Sequence, residues 1–184
     1  RVNSDLVGKV VNIASRCAGF ITRHFDGRLA GSLHDPALFE RFTAAAAGIA
    51  ERYEKGDTAR AVREITALAD QANQYIAEHA PWAMIKEDGR RDEVQAVCSQ
   101  GINLFRVLMV YLKPILPQLA ADSEAFLQIE PLTWRDLETP LLDHGIAPFK
   151  ALFARMEKDA VDNMIEASRE DAAPKPESAS QADA

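Results

Sequence analysis

From the first residues to about residue 170, apolar side chains recur at steps of three and four, the period of helices with one buried face. That period sets the fold class as all-α. Leu6, Val10, Ile13, Cys17, Phe20 and Ile21 form the first stripe. Its helix can start at Asn3 or Ser4, either of which caps by accepting a bond from an unpaired backbone N–H. It should stop near Phe25, where Asp26-Gly27 suits the left-handed conformation of a helix exit. Asp35-Pro36 is a second start, a capping carboxylate followed by proline at the first helical position. Phe39, Phe42, Ala46, Ile49 and Tyr53 carry that stripe to Gly56. Asp57 opens a third helix lined by Val62, Ile65, Ala69, Ala72 and Ile76, broken at Ala80-Pro81. After Asp88-Gly89 a fourth runs from about Arg91 to Leu112, ended by Pro114 and Pro117. Its second half is apolar on nearly all sides, as expected at the centre of a bundle.

Four helices with short links read as an α-helical bundle. A fifth, shorter helix is expected around Leu119–Leu127. Pro131, Trp134, Pro140, Gly145 and Pro148 punctuate residues 129–153, which should wrap the bundle as ordered loop. A last amphipathic helix, about Glu157 to Arg169, offers Val161, Met164 and Ile165. From Asp171 the composition is Ala, Pro, Ser, Glu, Gln and Asp, with nothing large to bury. The reading is one helical domain over residues 1–170 and a flexible tail or linker over 171–184.

Several classes of protein are excluded. With a net charge of −7 and a pI near 5.1, the chain does not coat nucleic acid by bulk electrostatics, although a local basic patch remains open to it. The apolar run Val107–Leu112 is fenced by Arg106 and Lys113, far short of the roughly 20 residues that a membrane span needs. The polar stretch Arg1–Lys9 is no secretory signal, so a cytoplasmic location is expected, with Cys17 and Cys98 as buried, reduced thiols. A start at Arg1 rather than methionine points to sequence removed upstream. There is no glycine-rich phosphate loop, no HExxH and no GxSxG. The histidines, His24, His34, His79 and His144, are scattered without ligand spacing on one helix face. Neither a catalytic site nor a metal is expected.

Two polar features stand out. Asp5, Lys9, Asn12, Arg16 and Arg23 share one face of the first helix. Such a row also suits a plain solvated face, but Asn12 and Arg16, one turn apart, combine an amide that donates and accepts with a charged fork of donors. Those types can satisfy the edge of an unpaired base and touch phosphate. The second feature is Pro81-Trp82, an aromatic directly after a rigid residue at a helix break. Either the ring is exposed for unpaired bases to stack on, or it folds back to cap the core. Trp134 poses the same choice and is read as packed on the core.

Four segments carry a resemblance. NSDLVGKVVNIASRCAGF (Asn3–Phe20), LADQANQYIAEHAPWAMIK (Leu68–Lys86), GINLFRVLMVYLKPILPQL (Gly101–Leu119) and PFKALFARM (Pro148–Met156) follow in order. Together they resemble the helical anticodon-binding domain of bacterial methionyl-tRNA synthetases, a bundle of the class I aminoacyl-tRNA synthetases. The first alone is shared with the valine, isoleucine, leucine and cysteine enzymes; Ala80-Pro81-Trp82 points to the methionine member. The resemblance implies that Asn12, Arg16 and Trp82 line the pocket for the CAU anticodon of methionine tRNA, initiator and elongator, with Pro81 setting the ring's position. Lys9, Arg23 and Lys86 are candidate RNA-backbone contacts.

The HIGH and KMSKS signatures of the catalytic domain do not occur in these 184 residues. The resemblance therefore implies that the chain alone cannot charge tRNA, whereas the intact protein does so with ATP. The family's zinc site belongs to that other part. The tail resembles a linker to a C-terminal RNA-binding and dimerising module. Two rival readings stand beside this one, a sister synthetase and a purely structural helical interaction module.

Overall fold

The apolar stripes are buried against one another around a single central helix. The computed structural model describes residues 2–149, with seven α-helices among them: α1 (Val2–His24), α2 (Pro36–Ala44), α3 (Ala46–Glu54), α4 (Thr58–His79), α5 (Pro81–Met84), α6 (Arg91–Leu112) and α7 (Pro117–Leu127). The helix expected at 157–169 and the boundary at residue 170 lie outside the described residues. Every side chain of α6 from Val97 to Leu112 is buried. This helix packs against α1, α2, α4, α5 and α7, and α1 also lies along α4.

Local chemistry sets most of the boundaries. Asp35 and Asp57 cap α2 and α4 through bonds from Leu38 N (2.9 Å) and Arg60 N (3.2 Å). The exit of α1 has Asp26 and Gly27 both at positive φ, and Gly27 N donates to Ile21 O at 3.0 Å. One expectation is corrected: the helix predicted from Asp35 to Gly56 is two, α2 and α3, broken at Ala45. The Tyr111 hydroxyl of α6 donates to Phe42 O at 2.7 Å. An unbroken helix would give that carbonyl to residue 46.

Residues 129–149 do wrap the bundle, with a 3-10 turn at Trp134–Leu137. Buried polar groups of α6 hold this segment. Asn103 donates to Leu141 O (3.0 Å) and accepts from Leu141 N (2.7 Å). Arg106 donates to Thr139 O (2.8 Å) and to Asp136 (2.9 Å). Ser99 and Gln100 bind the other crossing segment, accepting from Ala30 N and Asp35 N. Residues 27–30 in turn pair with 143–146 through an antiparallel bridge, Arg28 to Gly145.

At Gly101, α6 leaves no room for a side chain against α1. A Cβ there would run into the Cys17 sulfur and touch Ile76. Alanine gains up to about 1 kcal/mol of helix propensity over glycine, whereas overpacking costs about 1–3 kcal/mol. Gly101→Ala is therefore expected to lower stability in urea unfolding, and a more stable variant would refute this packing. Cys17 and Cys98 are buried free thiols. A hydrogen bond between them and burial together hold the Cys17 thiol well above its ordinary range.

Candidate nucleic-acid interface

The seam between α1 and α4 carries a row of polar contacts that ends at the exposed tryptophan. The Lys9 ammonium pairs with Asp70 at 2.7 Å. One turn on, the Asn12 amide donates to Asn73 Oδ1 at 2.9 Å, and the Asn73 amide donates to Lys9 O (2.9 Å) and Ala69 O (3.0 Å). One further turn along, the Arg16 guanidinium sits over the Trp82 ring, 5.1 Å from its centroid.

Trp82 owes its position to two backbone constraints. Ala80 ends α4 in the left-handed region (φ 43°, ψ 63°), and Pro81 follows as the first residue of α5. Pro81 is buried, so the turn is anchored, while Trp82 stays 40% exposed beside it. Of the two orientations left open by the sequence, the ring takes the exposed one. A left-handed alanine is strained by roughly 1–2 kcal/mol, and the Ala80 N–H bond to Ile76 O (2.9 Å) and the packing of Pro81 hold it there.

The candidate residues thus divide. Asn12, Arg16 and Trp82 lie on one seam, with the buried Pro81 directly before the tryptophan in α5. Lys9 is on the same seam, but a phosphate would compete with Asp70 for its charge. Arg23 turns away, its Nε donating to Gly19 O at 3.0 Å and its guanidinium over Phe20. Lys86 is exposed just beyond α5. Trp134, expected on the core, lies against Tyr111 with 5.5 Å between ring centroids, yet remains 38% exposed.

Two α4 residues escaped the reading of the sequence, Asp70 and Asn73. Their signal was present: a polar pair three residues apart beside the stripe of Ala69, Ala72 and Ile76, matching the Lys9–Asn12 step on α1. The histidines are less scattered than expected. The His34 and His79 rings meet edge to face at 4.8 Å, and His34 Nδ1 lies 2.8 Å from the Tyr75 hydroxyl. Burial, then the neighbouring His79, lowers the His34 pKa. Among the described residues no cluster of three or more His, Cys, Asp or Glu could hold a metal ion, and no helix is long and apolar enough to cross a membrane.

The family of the chain, rather than its fold, makes this bundle an anticodon-binding domain. The family model for the anticodon binding domain of methionyl tRNA ligase matches residues 27–168, and the chain belongs to that family. Solved structures agree in fold. The free form of Mycobacterium tuberculosis methionyl-tRNA synthetase superposes with a TM-score of 0.67 at 21% identity, covering 80% of this chain and 32% of that one. The same enzyme with methionyl-adenylate gives a TM-score of 0.67 at 21% identity, over 80% and 31%. The chain therefore spans about a third of the length of the proteins it resembles.

Proposed function

We propose that the α1/α4 seam reads the CAU anticodon of methionine tRNA, initiator and elongator, as the tRNA-binding part of a cytoplasmic methionine–tRNA ligase. The observation that carries this reading is the exposed Trp82 ring, held beside Arg16 by Ala80 and Pro81, with Asn12 one turn away. The anticodon loop unstacks and the cytosine rests on the part of the indole that Arg16 leaves uncovered. Asn12 and Arg16 take its Watson–Crick edge. A uracil presents a carbonyl where cytosine presents an amine, so one bond of the pocket is lost. A polar group left unpaired in this way costs about 1–3 kcal/mol.

A backbone contact from Lys86 adds a salt-sensitive contribution, Lys9 joins only by giving up Asp70, and Arg23 joins only by leaving Phe20 and Gly19 O. ATP binding, any zinc and aminoacyl transfer are assigned to a part of the parent protein outside this chain. Membership of the methionine family counts against a sister synthetase. The open seam with its exposed tryptophan counts against a purely structural module.

Anticodon stem-loops carrying CAU, UAU or GAU, titrated against the 184-residue chain, test the reading. The expected result is a CAU preference of at least several-fold over UAU, following the unpaired-group cost above. Equal binding of all three loops would remove the assignment of the seam to anticodon reading. The ranking of the loops decides more than the absolute affinity, because a catalytic domain supplies further contacts to tRNA.

A further inference from the structure

Asparagine presents a donor on one side of its carboxamide and an acceptor on the other, and a reading site must choose between them. The seam makes that choice through a second asparagine. The Asn73 nitrogen faces two main-chain carbonyls, Lys9 O at 2.9 Å and Ala69 O at 3.0 Å, which can only accept. Its orientation is therefore fixed, and its oxygen points at Asn12. Only the Asn12 NH2 can answer that oxygen, at 2.9 Å. Turning the Asn12 amide over would set two oxygens against each other at the same distance. The Asn12 oxygen is left on the outer side of an exposed residue, and among the described residues it accepts no bond.

We propose that Asn73 is a positioning residue for anticodon specificity: it locks Asn12 with its acceptor outward, so that the seam takes a base with an exocyclic amine and rejects one with a carbonyl there. This rests on the reading that Asn12 meets the base. At the cytosine position the lock favours the N4 amine and opposes O4 of uracil. Specificity then depends on a side chain that touches no RNA. It works through two helices whose paired residues are 61 positions apart in sequence.

The test compares the 184-residue wild type with Asn73→Ala and Asn12→Ala, using fluorescein-labelled CAU and UAU stem-loops and anisotropy. Asn73→Ala frees the Asn12 amide to turn, so CAU binds less tightly and UAU is no longer penalised. The CAU-to-UAU ratio is expected to fall by about tenfold. A merely structural role for Asn73 would weaken both loops alike and leave the ratio unchanged. A ratio lost in Asn12→Ala but kept in Asn73→Ala overturns the lock while sparing the site. A wild-type ratio that survives Asn12→Ala overturns the site itself, and the lock with it. A second readout needs no RNA: the Asn12 side-chain amide resonances of the free, asparagine-labelled chain should shift in Asn73→Ala. If they do not move, Asn73 does not orient Asn12.

Discussion

Replacing Trp82 by alanine is expected to weaken binding of a CAU stem-loop by roughly 5- to 150-fold, since base–aromatic stacking is worth about 1–3 kcal/mol. The same change should leave the melting temperature nearly unaltered. Trp82 is 40% exposed and its described ring contact is with Arg16, so removal opens no cavity in the core. Affinity and stability separate at this residue, which is the mark of a side chain kept outside for a partner. Trp82→Phe keeps a smaller aromatic face and should recover part of the affinity. Fluorescence anisotropy with labelled RNA, alongside a thermal melt of each variant, checks both halves. An unchanged affinity for the CAU loop in Trp82→Ala would show that the ring is not the stacking platform.

The largest loss of stability is expected at the other side of α6, from Asp136→Ala. The Arg106 side chain is only 5% exposed, and burial lowers its pKa. Its charge is answered at 2.9 Å by Asp136, which is about one-third exposed. Burial works to raise the Asp136 pKa, but bonds from the Thr133 N–H and hydroxyl, together with Arg106, hold it below the usual range. Removing the carboxylate strands a buried cation, a change that costs about 3–5 kcal/mol. It also deletes the capping box that Thr133 and Asp136 form at the 3-10 turn. Arg106→Met should cost less, because the carboxylate left behind still accepts from Thr133 and reaches solvent. Urea unfolding of the two variants and of the double mutant checks the order. Asp136→Ala being the milder of the two would contradict a stranded charge.

Caps and breakers made much of the bundle readable in advance. The Asp88-Gly89 turn and Pro114 bracket α6, and the structure places that helix at Arg91–Leu112, as the periodicity predicts. Asp35 and Asp57 cap where their side chains lead one to expect. What stayed hidden depends on partners distant in sequence. The break at Ala45 is made by Tyr111, 69 residues from the carbonyl it takes. Ser99, Gln100, Asn103 and Arg106 lie on a helix whose apolar residues carry the pattern, and nothing local says that these polar groups bind crossing segments. Arg106 looked like the fence of an apolar run and is instead the buried anchor of the wrap. At the seam, Asn12, Arg16 and Trp82 stood out by chemical type. Asn73 did not, because a polar residue beside a stripe signals a role only once the facing helix is known.

The left-handed Ala80 has a consequence for any attempt to improve this protein. Glycine at that position would release the strain, because it has no Cβ to clash in the left-handed region. The same freedom would loosen the joint that aims the indole, so the ring would sample many directions before RNA arrives and binding would have to select among them. Heat tolerance and readiness to bind therefore pull one residue in opposite directions. A library screened for thermal survival alone would tend to collect Ala80→Gly and drift away from RNA. Alanine there is a compromise that only a selection for both properties would keep.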